Sequence, residues 1–187
     1  TAAKRYRLLP LVQQFAAEGF GIEAENVRRK KSHYFLRNLQ QLLQPLRSSN
    51  QQEALATIHH DLENIHAAWR WVSEQRDGLA LGWAIESLFH FYDMQSWFRE
   101  GAEMFGLAEA ALTAASQPEN KVAYAKVVGR YGWFCFHLGQ QEKAQRLLKK
   151  SLTELEKLGL ANETIFPLNY LGALAIYADD YAAVGYY

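Results

Sequence analysis

Side chains of metal-ligating type, His59, Glu63 and His66, recur at helical spacing in one stripe that continues to Arg70. Two imidazoles on one helical face with a carboxylate between them could in principle grip a divalent ion. A structural zinc wants four ligands, and nothing nearby in sequence supplies the missing ones. The stripe therefore reads as surface or interhelical hydrogen bonding. Cys135 and His137 are close in the chain, but residues at that spacing turn to different helical faces and make no nucleophile–base pair. Cys135 reads as a small core residue. No Ser/His/Asp arrangement stands out, and no Gly-x-x-x-x-Gly-Lys-Ser/Thr loop is present to cradle phosphates. Gly19-Phe20-Gly21 has a Gly-rich look but reads as a helix terminator. These residues predict a chain without catalysis of its own, and no cofactor or metal is expected. The run Arg28-Arg29-Lys30-Lys31 reads as a solvated helix face, because four adjacent cations wrap around a helix instead of lining one side; a phosphate or DNA contact is the sharper alternative.

Length and composition set the outer limits. The chain has 187 residues, one Cys, and 20 basic against 20 acidic residues, for a formal charge of zero. It can bury roughly 70% of its unfolded surface. No global field recruits nucleic acid or an anionic membrane. No apolar run approaches the ~20 residues that span a bilayer. The single cysteine excludes an internal disulfide framework and fits a reducing compartment, so a cytoplasmic location is expected. Five Trp, ten Tyr and ten Phe suggest a core of large side chains or an aromatic-lined groove. The first residue is Thr1, and the segment after Ala182 reads as a helix that stops early, so a piece of a longer chain is expected.

The elements that carry these residues are helices. The stretch Ala125–Gly159 reads as two antiparallel amphipathic helices joined by a short turn. Val127, Tyr131, Phe134, Cys135 and Leu138 recur at three- and four-residue spacing, and Gly139 suits the left-handed position that closes a helix. Ala144, Leu147, Leu148, Ser151, Leu152, Leu155 and Leu158 repeat the pattern up to Gly159. Gly132 and Ala144 are small where the two helices should approach most closely. Upstream, a helix is expected from about Glu23 to Leu43, with Val27, Tyr34, Phe35, Leu39, Leu42 and Leu43 inward, ended by Pro45. A second runs from Gln51 to Glu74, and Leu55, Ile58, Leu62, Ile65, Trp69 and Val72 form a narrow seam suited to one neighbour. Leu79–Tyr92 follows, then a turn at Asp93–Ser96 with Ser96 as N-cap, then a helix from Trp97 to Leu112. Ser116–Asn120 is a loop, with Pro118 early in the next helix. Pro167 is tolerable only if its helix starts near Phe166; otherwise the helix must kink. Arg5–Leu9 could finish a strand, with Pro10 opening a short helix.

The Ala125–Gly159 unit resembles a tetratricopeptide repeat. Val128, Tyr131-Gly132, Cys135, Gly139, Ala144, Leu148 and Ser151 occupy that family's slots, with Val128 and Cys135 departing from the usual aromatic residues. Leu171-Gly172 and Ala175 begin a later copy; Leu88-Phe89, Tyr92, Gly101, Phe105 and Ala108 form a looser earlier one. The intervals exceed the usual ~34 residues, so long connecting turns are expected. From about Arg5 to Leu112 the chain also resembles the STAND class of bacterial signal-transduction ATPases and transcriptional regulators. RYRLLPLVQQFA resembles the end of their winged-helix-like segment, and HYFLRNL (His33–Leu39) the helix after it. DLENIHAAWRW (Asp61–Trp71) resembles an acidic-Leu-acidic-Asn-Leu-x-Ala-Ala-x-x-Trp signature. Many relatives place a His three residues before the Tyr-Phe-Leu, where this chain has Lys31.

The resemblance implies an all-α fold of antiparallel hairpins stacked as a right-handed, tetratricopeptide-like α-solenoid. It implies a winged-helix-like tail over residues 1–20, a helical arm over 21–76 and repeats over 77–187. It implies a sensor region that takes a peptide, protein or small-molecule effector and biases its own NTPase module, without a membrane and without nucleic acid in this segment. The structural rival is an arm that only packs on that core or self-associates. In such arrays the first helix of each hairpin lines the concave side. The outward positions there, Arg130, Trp133, His137, Asn169 and Tyr170, are the candidate groove, with Trp133 the leading contact because it lies off the stripe of Tyr131, Phe134 and Leu138.

Overall fold

A computed structural model describes residues 21–114 and 116–177, and these form eight helices with no strand among them. In chain order they are α1 (Gly21–Gln41), α2 (Leu43–Leu46), α3 (Gln51–Glu74), α4 (Gly78–Met94), α5 (Phe98–Leu112), α6 (Pro118–His137), α7 (Gln141–Lys157) and α8 (Ala161–Tyr177). The strand and short helix expected before residue 20 lie outside the described residues. Each helix from α3 onward packs on the next. In addition α3 meets α5, α4 meets α6, and α6 meets α8, whereas the backbones of α5 and α7 stay apart, with Lys150 Nζ of α7 reaching Glu109 Oε1 of α5 at 3.6 Å. The arm is continuous with the later helices: α1 packs on both α3 and α4, and one apolar cluster runs from Leu36 through Trp69 and Phe105 to Phe134.

Four of the interhelical connections are the same turn. At Arg76, Ser96, Gly139 and Gly159 the backbone φ is +53°, +56°, +74° and +68°. The amide after each left-handed residue closes back on the preceding helix: Asp77 to the Val72 carbonyl, Trp97 to Tyr92, Gln140 to Cys135 and Leu160 to Leu155. The left-handed residue itself donates to Ser73, Asp93, Phe136 and Glu156 respectively. Each is a Schellman closure, which satisfies carbonyls the helix end leaves open. Glycine at two of the four makes those turns visible in sequence. At the other two a side chain sits in a conformation that Cβ sterics disfavour. Ser96 is therefore not the expected N-cap; Trp97 takes that place, and α4 continues through Met94.

Small residues set the closest approaches. A Cβ on Gly132 would lie 3.0 Å from Leu148 Cγ and 3.3 Å from the Ala144 carbonyl oxygen, so α6 and α7 meet where the small residues stand. Ser151 Oγ donates to the Ala125 carbonyl at 2.7 Å beneath Gly129. Gly78 N–H donates to Asn120 Oδ1 at 2.8 Å, and Asp77 caps α4 through Ala80 N–H while holding His33 Nε2 at 2.8 Å. These bonds join the starts of α4 and α6 to α1.

Several expectations on the helices are corrected. The inward face of α1 is Ser32, Leu36 and Leu39, while Val27 and Tyr34 are exposed, because α1 leans on α3 and α4 with one narrow stripe. Pro45 does not stop the chain dead; it sits inside the short α2. Helix α3 buries more than a seam for one neighbour: Ala54, Asp61, Ala68 and Trp71 join Ile58, Ile65, Trp69 and Val72 because α1, α2, α4 and α5 all pack on it, whereas Leu55 and Leu62 are only partly covered. Trp69 Nε1–H donates to the Met104 carbonyl at 2.8 Å, so a buried indole is satisfied across to α5. Helix α8 starts at Ala161 and carries Pro167 in its interior, not at its first turn. The ring removes one backbone donor there, and burial of Pro167, Leu171 and Leu174 is what holds the helix together across that position.

Candidate functional site

Charged side chains gather on α4, α6 and α8. Helical spacing puts Lys126 and Arg130 one turn apart on α6, facing Glu86 of α4 and Glu163 of α8. Arg130 Nη2 lies 2.7 Å from Glu86 Oε1 and 3.8 Å from Glu163 Oε2. Lys126 Nζ lies 3.2 Å from Glu86 and 2.9 Å from Glu163. Burial alone would raise the Glu86 carboxyl, but Arg130 and Lys126 outweigh it and hold the group below the usual carboxylate range. The guanidinium of Arg130 also covers the face of the Phe166 ring, 4.1 Å from its centroid.

Around this floor stands a wall of rings. Phe166 meets Tyr170 one turn on at 4.6 Å and the edge of Phe89 at 5.2 Å. Tyr170 packs on Trp133 at 4.0 Å, and Trp133 meets His137 at 4.1 Å. Trp133 Nε1–H donates to Asp93 Oδ1 at 2.7 Å. Burial pushes the Tyr170 hydroxyl up, helped by Asp93, and pushes the His137 imidazole down. On the other side of the floor Arg47, from the end of α2, donates to His90 Nε2 from Nε at 3.1 Å and lies at 2.7 Å from it through Nη2. Burial, and then Arg47, lower the His90 pKa, so the ring accepts as a neutral imidazole.

The result is a cleft of about 420 Å3 between α4, α6, α8 and the end of α2, with Arg130, Asn169 and Tyr170 among its lining residues. Of the five residues expected to form a groove, the structure brings these three to the cleft. Trp133 and His137 stand beside it, joined to Tyr170 through ring contacts and not on its lining. Arg130 departs from the expectation in one respect: it is 3% exposed and not an outward group, because α8 packs over α6 and supplies Glu163 and Phe166 to cover it. Sequence reasoning missed Arg47, Glu86, His90, Lys126 and Phe166. The spacing signal reached only Lys126, one turn before Arg130 on α6, and two basic residues one turn apart are too common to select on.

A larger cleft of about 520 Å3 lies where α1 meets the starts of α4 and α6, lined by Arg29, Arg76, Asp77 and Asn120 among others. Its polar groups at Asp77, Gly78 and Asn120 are already engaged with one another and with His33, which makes it a joint between elements. The histidine stripe of α3 is also occupied. His66 Nε2 lies 2.7 Å from the Tyr92 hydroxyl, and His59 packs its ring against Phe91 and Trp97. Among the described residues no group of three or more His, Cys, Asp or Glu is placed to hold a metal ion. Cys135 is buried, and burial pushes its thiol up, away from the reactive range. No helix among the described residues is long and apolar enough to cross a membrane. Compared with family models, with curated proteins and with solved structures, the chain matches none.

Proposed function

We propose that this chain is the effector- or partner-binding region of a bacterial STAND-type signal-transduction ATPase or transcriptional regulator, without catalysis of its own. In this reading α4–α8 are tetratricopeptide-like hairpins of a right-handed α-solenoid, and α4, α6 and α8 are the first helices that line its inner side. The succession of α4–α6 and α6–α8 contacts, with the backbones of α5 and α7 apart, supports that arrangement, as does the recurrence of one turn type. The observation that carries the function is the cleft itself: charges already paired at the floor, aromatic rings on one wall, an arginine on the other. Such a surface fits recognition better than chemistry, since a small number of fixed polar groups among apolar walls is how ligand sites gain orientation. Binding of a peptide, protein or small-molecule effector in the cytoplasm would then bias an NTPase module elsewhere in the parent protein.

The test is a thermal-shift screen of peptides and small molecules on the 187-residue chain. Hits are expected to lose their stabilising effect in Tyr170→Ala and Trp133→Ala. Hits unchanged in both variants would place binding elsewhere and sink the reading.

A second reading has one observation in its favour. Ile165, Ile176 and Tyr177 of α8 are 57%, 53% and 71% exposed, an apolar edge suited to packing on another part of the parent protein or on a second copy. Under that reading the chain is a structural arm. A mass by light scattering that rises with concentration, together with no ligand hits, would favour it.

A further inference from the structure

We infer that the cleft between α4, α6 and α8 takes an anionic ligand with a flat apolar body, an aromatic or apolar carboxylate, with Arg47 as the residue that receives its charge. The inference rests on the reading of this cleft as the effector site and names the class of effector.

The charges that line the cleft do not balance, with Asp93 standing behind the lining, hydrogen-bonded to Trp133 and within electrostatic reach of His90 and Tyr170. Three cations line it, Arg47, Lys126 and Arg130, against two carboxylates, Glu86 and Glu163. Both carboxylates are committed to Lys126 and Arg130 within the floor. Arg47 is left in excess, with no carboxylate at ion-pair distance among the described residues. Its guanidinium reaches His90 Nε2, which takes the Nε and Nη2 sides of the fork. A guanidinium carries five N–H donors in a rigid plane that matches a carboxylate, so the rest of the fork stays available. The contact with His90 also fixes the side chain in place, which lowers the ordering cost of using it.

The body of the ligand is set by the opposite wall. Phe166 and Tyr170 present rings one helical turn apart, with Ile165 exposed beside them and the Asn169 amide at the rim. The two rings stand at 65° to each other, so a flat apolar group stacked on one meets the edge of the other and is desolvated by both, with its anion directed to Arg47. A cationic ligand would meet Arg47, Lys126 and Arg130 with both lining carboxylates already taken. The volume of about 420 Å3 suits a small molecule or the last residues of a peptide.

The experiment follows backbone amide shifts of the isotopically labelled 187-residue chain by NMR. The probes are naphthalene-2-carboxylate, its neutral carboxamide and naphthalen-2-ylmethylammonium. Saturable shifts at Arg47, His90, Asn169 and Tyr170 are expected with the carboxylate, with the carboxamide weaker by about tenfold or more, the worth of a charged hydrogen bond. In Arg47→Gln the carboxylate should fall to the affinity of the carboxamide, with Tm unchanged because Arg47 is exposed. Equal affinity for carboxylate and carboxamide, or a carboxylate affinity untouched by Arg47→Gln, overturns the inference. Tightest binding of the ammonium probe at the same amides overturns the sign of charge while leaving the cleft a binding site. No saturable shift there with any of the three probes overturns the inference, and the thermal-shift screen judges the broader reading separately. A tetrapeptide ending in Phe with a free carboxylate, compared with its amidated form, separates the two sources of the anion. Discrimination between the peptides assigns it to a chain end, and discrimination between the naphthalene probes alone assigns it to a small molecule.

Discussion

Arg130 of α6 and Glu86 of α4 meet at 2.7 Å with the arginine side chain 4% exposed and the carboxylate 20% exposed, an ion pair that joins two helices not adjacent in the chain. Lys126 shares Glu86 and passes the connection on to Glu163 of α8, so three helices are tied by four side chains. A largely covered pair of this kind is weak evidence for net stability, because both ions lost much of their water. What it does set is the cost of changing one side alone, since removing either ion takes a partner from the other.

That asymmetry gives the first prediction. Arg130→Met should lower unfolding stability by about 1–3 kcal/mol, because it leaves the largely covered Glu86 carboxylate with Lys126 as its remaining partner. Glu86→Leu combined with Arg130→Met should cost clearly less than the sum of the single changes. Urea denaturation of the wild type, both singles and the double closes the cycle. Coupling under about 0.5 kcal/mol would mean that Lys126 alone satisfies Glu86.

Glycines within two adjacent helices should respond in opposite directions to the same methyl group. A Cβ on Gly101 would lie 2.7 Å from the Phe134 ring, whereas one on Gly82 would meet nothing within 4 Å. Gly101→Ala should destabilise by roughly 1–3 kcal/mol through overpacking. Gly82→Ala should stabilise α4 by about 0.5–1 kcal/mol. Thermal melts of the two variants give the signs directly.

The four matched turns supply a third test. Arg76 and Ser96 hold the position that Gly139 and Gly159 hold elsewhere. Arg76→Gly and Ser96→Gly should each stabilise by about 1 kcal/mol, and Gly139→Ala should destabilise by a similar amount. A loss of stability in Ser96→Gly would show that its side chain contributes more than its backbone conformation costs.

Stability should fall in mild acid. His66, His90 and His137 all have pKa values lowered from 6.5, in each case first by burial. The unfolded chain then binds protons more readily, so their contribution is complete above pH 6.5 and declines as pH drops through 6.5 toward the lower folded values. Glu86 adds a second decline below 4.5, its unperturbed value, because its folded pKa is lowered by Arg130 and Lys126 against the opposing effect of burial. A Tm series from about pH 8 to about pH 4 should slope downward throughout the acid range. The slope just below 6.5 should flatten in His66→Gln. A flat series would mean that the imidazoles are solvated in the native state.

The hairpin of α6 and α7 was legible because its signals are chemical and local. Gly139 and Gly159 mark left-handed closures, and Gly132 with Ala144 marks a close approach. The turn at Ser96 was not legible as a closure, since serine there follows no steric preference and reads more naturally as an N-cap. Val27 and Tyr34 fall on the wrong side of α1 because periodicity says which residues share a face but not how wide a face the neighbours cover. The groove residues were partly legible: a helical wheel of α6 sets Arg130 and Trp133 off the main apolar stripe. It could not show that α8 would fold over Arg130 and bury it.

By itself the sequence determined that the described residues are helical, where most of their helices start and stop, and which small residues let two of them touch. Those properties depend on side chains a few residues apart, and so they are written locally. Only the tertiary structure decided that Arg47, Glu86, Lys126, Arg130 and Glu163, from four different stretches of chain, share one cleft with Phe166 and Tyr170. It also decided which of those charges cancel and which is left over, because ion pairing depends on distances of a few ångströms that no spacing along the chain encodes.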